Sequence, residues 1–136
     1  MKRVLISGGW DLMHYNHVLT LRHAKSLGDW LTVHVVSDER LRMKKGEGRP
    51  FMKLQERITT LQELRCVDEV FSIPGTHYPL YDAIEAAEPD IVIINITEQA
   101  DVSEEERYCA ERRIKLVKVE RISEGVSTSS LLVQLR

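Results

Sequence analysis

Short apolar runs alternate with amphipathic segments along the chain. The runs are rich in Val, Ile and Leu and are predicted to be buried strands, at residues 3–6, 30–36, 67–73, 91–95 and 114–119. Apolar residues at helical spacing predict helices between and after them, at residues 16–27, 54–64 or 54–66, 80–87, 102–113 and 127–135. This alternation indicates an α/β fold, a five-stranded parallel sheet with helices on both faces.

The segment from Arg40 to Lys53 interrupts this pattern. It carries six Lys and Arg residues together with Gly46, Gly48 and Pro50, and it shows no core periodicity. We therefore predict a basic, partly mobile loop there. In parallel sheets of this kind, ligands bind beyond the carboxyl ends of the strands, where the strand order reverses. Candidate chemistry is therefore expected in the loops after residues 7, 37, 73, 95 and 119.

The length and charge of the chain make some classes of protein unexpected. A chain of 136 residues is long enough for one domain, 1–136, to bury a core without disulfides or a structural metal. Its 19 Lys and Arg against 21 Asp and Glu make a nucleic-acid partner unexpected. The absence of a long apolar run or a signal-peptide pattern argues against a membrane partner. Cys66 and Cys109 fit free thiols in the cytoplasm.

The loop after the first strand holds the strongest chemical motif. Gly8 and Gly9 let the backbone approach a ligand closely, and the start of the following helix favours an anion. His14 and His17 are three residues apart, so they share one face of that helix and could donate hydrogen bonds to phosphate oxygens. The spacing is also compatible with two surface histidines. It does not suit zinc, which needs three or four ligands, or a dinucleotide fingerprint.

Several motifs together resemble one family. Residues 9–17 resemble the G-x-F-D-x-x-H-x-G-H signature of the cytidylyltransferase-like nucleotidyltransferases. Four further matches follow in the family's order: L-G-D-x-L at 27–31, the lysine loop at 45–50 with Glu56-Arg57, V-D-E-V at 67–70, and E-G-x-S-T-T at 124–129. The resemblance implies a Rossmann-like fold and transfer of a nucleoside monophosphate from CTP or ATP to a phosphorylated acceptor. It also implies Mg²⁺, release of pyrophosphate, and a homodimer.

The resemblance also assigns roles to residues. It implies that His14, His17 and Lys45 are catalytic and that Lys44 and Arg57 bind the acceptor. Without it, the two lysines are equally compatible with a solvated surface. Asp11 is expected to orient the loop rather than act as a base, and no protein ligand to a metal is expected. The nucleotide-binding residues would be Gly8, Gly9, Trp10, Asp11, Asn16, Arg121, Gly125, Ser127, Thr128 and Ser129.

Three departures from the family pattern leave the substrate open. Asn16 replaces a glycine, which Asn can mimic because it tolerates positive φ. Ile122 stands where the family has arginine, with Arg121 displaced by one, and the loop at 95–101 lacks the usual segment. The first interpretation is transfer of CMP from CTP to a small, glycerol-3-phosphate-like alcohol phosphate. The alternatives are an adenylyltransferase that uses ATP on a sugar phosphate and a nucleotide-binding module without turnover.

Overall fold

A computed structural model of the chain describes residues 1–96 and 100–120. It contains five strands: β1 Arg3–Gly8, β2 Trp30–Val35, β3 Glu69–Phe71, β4 Ile91–Ile96 and β5 Lys115–Glu120. The helices between them are α1 Tyr15–Ser26, α2 Asp38–Lys45, α3 Leu54–Gln62, α4 Leu80–Ala87 and α5 Ser103–Glu111. The predictions for Arg121, Gly125, Ser127, Thr128, Ser129 and the helix at 127–135 lie outside the described residues, as do residues 97–99 of the loop at 95–101.

The strands form one parallel sheet in the order β3-β2-β1-β4-β5. The chain therefore runs outward from β1 in one direction through β2 and β3, and then crosses back to β4 on the other side of β1. This reversal places the switch point of the sheet between the carboxyl ends of β1 and β4. The predicted α/β class, strand number and parallel direction are confirmed.

Helices cover both faces of the sheet, because neighbouring residues of a buried strand point to opposite faces. Val4 and Ile6 of β1 join a core cluster with Leu21 of α1 and Leu61 of α3. Leu5, between them, belongs to a second cluster built from α4 and α5. A strand that helices cover on both faces needs apolar residues at consecutive positions, as in β1 and β4. No helix in the described ranges combines the length and the apolar character needed to cross a bilayer.

The prediction of a loop over residues 40–53 is wrong for its first half. Helix α2 occupies Asp38–Lys45, and the Ser37 side chain caps it by accepting the Arg40 N–H at 3.1 Å. Acidic residues in its first turn and basic residues in its last turn suit the helix dipole. Leu41 is its one buried residue. Because one buried apolar residue produces no helical periodicity, the sequence pattern does not indicate this helix.

Gly28, directly after α1, is required by close packing rather than by a left-handed helix cap. The C-cap of α1 is Leu27, not Gly28, and Gly28 does not have a positive φ. A Cβ at position 28 would lie 2.7 Å from Val4 Cγ2 and 2.8 Å from the Lys2 carbonyl oxygen. Gly28 therefore permits the close approach between the end of α1 and the start of β1.

Candidate functional site

The two motif histidines are locked together at the start of α1. The His14 backbone N–H donates to His17 Nδ1 at 3.1 Å, and the Asn16 N–H donates to His14 Nδ1 at 3.2 Å. The ring centroids lie 4.0 Å apart. Because a backbone N–H only donates, both Nδ1 atoms accept, and each neutral ring carries its proton on Nε2. Both rings therefore present an Nε2–H donor, as the sequence pattern suggests for phosphate contacts.

The Nε2 atom of His14 is buried and finds no hydrogen-bond partner among the described residues. Burial also lowers the pKa of His14, which favours the neutral ring. A buried donor without an acceptor is unfavourable, and native proteins rarely keep one without a reason. At a helix N-terminus the natural acceptor is an anion such as a phosphate oxygen.

Asp11 organises the segment that follows α2. Its buried carboxylate accepts the backbone N–H groups of Phe51 at 2.8 Å and Met52 at 2.9 Å, and it lies 3.6 Å from Arg49 Nε. These contacts agree with the expectation that Asp11 orients a loop. They also occupy the carboxylate oxygens that a general base would need.

The Trp10 side chain packs against Gly8 of the glycine turn. Its indole N–H donates to the His34 carbonyl at 3.1 Å, and its φ is +56°. A Cβ at Gly8 would lie 2.9 Å from Trp10 Cε2, so the indole and a side chain at position 8 cannot coexist without a shift. Gly8 is thus required by packing against Trp10.

Asn16 does not need the positive φ that its place in the motif suggests. It is the second residue of α1 and is absent from the residues with positive φ. Its carbonyl accepts the Thr20 hydroxyl at 2.9 Å. The replacement of glycine by asparagine is therefore compatible with an unstrained helix start.

Arg57 is a buried structural residue, which corrects its expected role in acceptor binding. Its side chain is 0% exposed. The guanidinium donates to the carbonyls of Met52, Gly9 and Val36 at 2.7–3.0 Å, and to Asp38 Oδ1 at 2.5 Å. Four of its five N–H donors are thus committed inside the protein. Arg57 joins the glycine turn, the end of β2, α2 and the segment before α3.

A cavity of about 470 Å³ opens at the carboxyl ends of β1, β2 and β4. Among its lining are four residues predicted for the site, Gly8, Gly9, Lys44 and Lys45. Apolar side chains form much of the remaining wall: Val36, Leu41, Pro79, Leu80, Ile93 and Ile94. The lining does not include His14 or His17. The cavity lies between α2 and α4, and the histidine pair at the start of α1 is outside its lining.

Sequence reasoning assigned no role to four polar residues of this cavity: Ser7, Arg40, Tyr78 and Asn95. Arg40 Nη1 donates to the Thr76 carbonyl at 2.8 Å, and its guanidinium lies 5.7 Å from the Tyr78 ring centroid. Burial and the nearby charge of Glu105 raise the pKa of Tyr78 to about 12, so its phenol remains a donor. Ser7 directly precedes the glycine pair and Arg40 lies in the basic segment, which are signals in the sequence. Tyr78 has none.

A glycine turn, a paired-histidine helix start and a cationic cavity lie near one switch point, and such an arrangement suits the binding of phosphorylated ligands. The family model described as cytidylyltransferase-like matches residues 5–132. The chain belongs to the cytidylyltransferase-like family, and it is a nucleotidyltransferase.

Similar proteins differ in their substrates. The chain is 37% identical over 125 residues to an FAD synthase of Aciduliprofundum boonei, covering 90% of this chain and 78% of that protein. It is 47% identical over 70 residues to an ethanolamine-phosphate cytidylyltransferase of Arabidopsis thaliana, covering 52% of this chain but 16% of that protein. The crystal structure of a lipopolysaccharide core biosynthesis protein of Thermoplasma volcanium superposes with a TM-score of 0.78 at 25% identity, covering 90% and 99% of the two chains.

Proposed function

We propose that this protein transfers a nucleoside monophosphate from a nucleoside triphosphate to the phosphate of a phosphate monoester. A phosphate oxygen of the acceptor forms a bond to the α-phosphorus, the bond from that phosphorus to the bridging oxygen breaks, and pyrophosphate leaves. The observation that carries the proposal is the buried Nε2–H of His14 at the N-terminus of α1. This donor lies beside the Nε2–H of His17 and lacks an acceptor among the described residues.

Positioning and electrostatic stabilisation can supply most of the catalysis. Phosphoryl groups carry charge on their oxygens in the transition state, and preorganised donors stabilise it without further reorganisation. In the proposal His14 and His17 donate to the triphosphate, while Lys45 and Lys44 approach from α2. The attacking phosphate is already anionic at neutral pH. No general base is required, which agrees with the occupied carboxylate of Asp11.

Mg²⁺ is proposed as a companion of the triphosphate. Among the described residues no group of three or more His, Cys, Asp or Glu side chains could hold a metal ion. Mg²⁺ commonly binds through substrate phosphates and keeps several of its waters. It would therefore enter bound to the nucleotide and neutralise charge on the phosphates, and loss of turnover in EDTA with recovery in excess Mg²⁺ tests this.

ATP with an acceptor that has an apolar body is the first candidate substrate pair. The apolar walls of the cavity suit such a body, and its cations Arg40, Lys44 and Lys45 suit the phosphate. The FAD synthase relative shares most of its length with this chain. FAD is FMN joined through its phosphate to AMP, so FMN and ATP are the substrates to test first.

CTP with a glycerol-3-phosphate-like acceptor is the second candidate, as the sequence motifs suggest. The identity of 47% to the ethanolamine-phosphate cytidylyltransferase supports it over a shorter segment. The nucleobase of the triphosphate and the identity of the acceptor are therefore best determined in one experiment.

Pyrophosphate release from a matrix of donors and acceptors tests the proposal. ATP and CTP would each be combined with Mg²⁺ and with FMN, glycerol 3-phosphate, ethanolamine phosphate or a sugar 1-phosphate. Turnover that falls strongly in His17→Ala and is preserved in His23→Ala would support the proposal, because His23 is an exposed histidine of the same helix. Binding of a triphosphate with no pyrophosphate from any pair would favour the module without turnover. Light scattering of the same protein tests the expected homodimer.

A further inference from the structure

Ser7 and His34 form a hydrogen-bonded pair beneath the cavity. They are partners in the register between β1 and β2, and Ser7 Oγ lies 2.8 Å from His34 Nδ1. His34 is 0% exposed, whereas Ser7 lines the cavity. Neither residue belongs to the family motifs that pointed to the site.

The backbone determines which nitrogen of His34 carries the proton. The Ile73 N–H donates to His34 Nε2 at 3.1 Å, so Nε2 is an acceptor. The proton of the neutral ring therefore sits on Nδ1, which donates to Ser7 Oγ. Burial lowers the pKa of His34 to about 4, so the ring remains neutral near pH 7.

The direction of this bond leaves the Ser7 O–H available. Since Ser7 Oγ accepts from His34, its own proton points elsewhere, and no other partner for it exists within residues 1–96 and 100–120. The charged side chains of the cavity lining are Arg40, Lys44 and Lys45, all cations. A hydroxyl donor among cations suits the oxygens of a phosphate, which accept hydrogen bonds and carry negative charge.

We propose that Ser7 is a further substrate-binding residue, whose O–H donates to the phosphate of the acceptor, and that His34 is the positioning residue that orients it. The acceptor is preferred over the triphosphate because the histidine pair lies outside this cavity. His34 is itself held in place, since its ring packs edge-on against Phe71 at 5.2 Å and its carbonyl accepts the Trp10 indole. The assignment to the acceptor rests on the proposed function.

Removal of the Ser7 hydroxyl provides the first test. Ser7→Ala should raise the KM for the acceptor about 10-fold, with a smaller change in kcat and in the KM for the triphosphate. Thr32→Val is the matched control, because it removes a buried hydroxyl from β2 that donates to Glu69 and does not line the cavity. An unchanged acceptor KM in Ser7→Ala would overturn the proposal.

Two replacements of His34 separate orientation from structural support. In His34→Asn the new, shorter amide can occupy the place of Nδ1 and donate to Ser7. In His34→Gln the longer amide reaches the place of Nε2 and accepts the Ile73 N–H instead. His34→Asn should therefore retain a lower acceptor KM than His34→Gln, and adding Ser7→Ala to His34→Gln should raise KM no further. The opposite order of the two variants would show that His34 acts only through Ile73.

Measurements without turnover keep this inference distinct from the proposed function. A long-range ¹H–¹⁵N spectrum of the wild-type protein should show the His34 proton on Nδ1, and a proton on Nε2 would overturn the argument. Titration with inorganic phosphate should show binding that Ser7→Ala weakens about 10-fold and Thr32→Val leaves unchanged. If no donor and acceptor pair is turned over, the proposed function fails, whereas phosphate binding insensitive to Ser7→Ala defeats the inference about Ser7.

Discussion

The His14 backbone N–H donates to the Nδ1 atom of His17 across 3.1 Å, so the two motif histidines form the N-terminal cap of α1. The same hydrogen bond orients the His17 ring and directs its proton to Nε2. This hydrogen bond therefore affects both the stability of the α1 N-terminus and the donor that His17 presents. A variant here changes both, and the experiments must measure both.

His17→Ala should reduce turnover by about 10²–10³-fold, as expected for loss of one preorganised donor to a transition-state phosphate. It should also cost about 1 kcal/mol of stability, because the His14 N–H loses its capping acceptor. Pyrophosphate release and a thermal melt measure the two effects. His23→Ala, on the exposed last turn of the same helix, serves as the control. Near-normal turnover in His17→Ala would refute the assigned role.

Lys44→Ala and Lys45→Ala form a matched pair, since both residues line the cavity at the end of α2. We expect Lys45→Ala to reduce kcat, because the sequence motif assigns this residue to the reacting phosphate. Lys44→Ala should mainly raise the KM for the acceptor. Steady-state kinetics with each substrate varied in turn separate these effects. Equal effects of the two variants on kcat would contradict the assignment.

Arg57→Met should destabilise the protein rather than weaken acceptor binding selectively. The change leaves the partly buried Asp38 and three backbone carbonyls without their donor, and each buried acceptor left unsatisfied costs about 1–3 kcal/mol. Urea unfolding measures this loss. If the variant were as stable as the wild type and showed only a raised acceptor KM, the original expectation for Arg57 would be restored.

Asp11→Ala should release the segment that contains Phe51 and Met52. Its carboxylate accepts both backbone N–H groups, so their amide hydrogens should exchange faster in the variant. Loss of stability should be about 1–3 kcal/mol, the cost of buried donors left unsatisfied. Asp29→Ala is a suitable control, because Asp29 also accepts a backbone N–H, that of Lys2, but is exposed. Unchanged exchange at both amides would exclude the orienting role.

Stability should fall as the pH is lowered from about 6.5 towards 4. The pKa of His34 is lowered by burial to about 4, whereas in the unfolded chain it is near 6.5, so the unfolded state binds more protons in this interval. The contribution of neutral His34 is complete above pH 6.5 and is lost by about 1.4 kcal/mol per pH unit, roughly 3 kcal/mol in total.

Urea unfolding at about pH 7 and about pH 4.5 tests this pH dependence. The pKa of His14 is lowered too, so it adds a loss of the same sign. His34→Asn should therefore retain only the smaller share that comes from His14. The same pH dependence in the wild type and in His34→Asn would show that His34 does not titrate as proposed.

The order and type of most elements could be predicted from the sequence, because apolar periodicity is a local property of each segment. The predicted helix at 80–87 coincides with α4, and the bounds of the strands differ by a few residues, most at β3, which is shorter than predicted. Helix α2 was missed because its one buried apolar residue, Leu41, produces no period.

The glycine turn and the histidine pair were also visible in the sequence, because their chemistry is encoded within ten consecutive residues. The burial of Arg57 was not, since it depends on a contact with Gly9, 48 residues away. Nor was the contact of Ser7 with His34, 27 residues away, which exists only because β1 and β2 pair in that register. The sequence by itself determined most of the elements, the fold class and the histidine motif. Only the tertiary structure decided which distant side chains meet, because strand order and register are properties of the whole sheet.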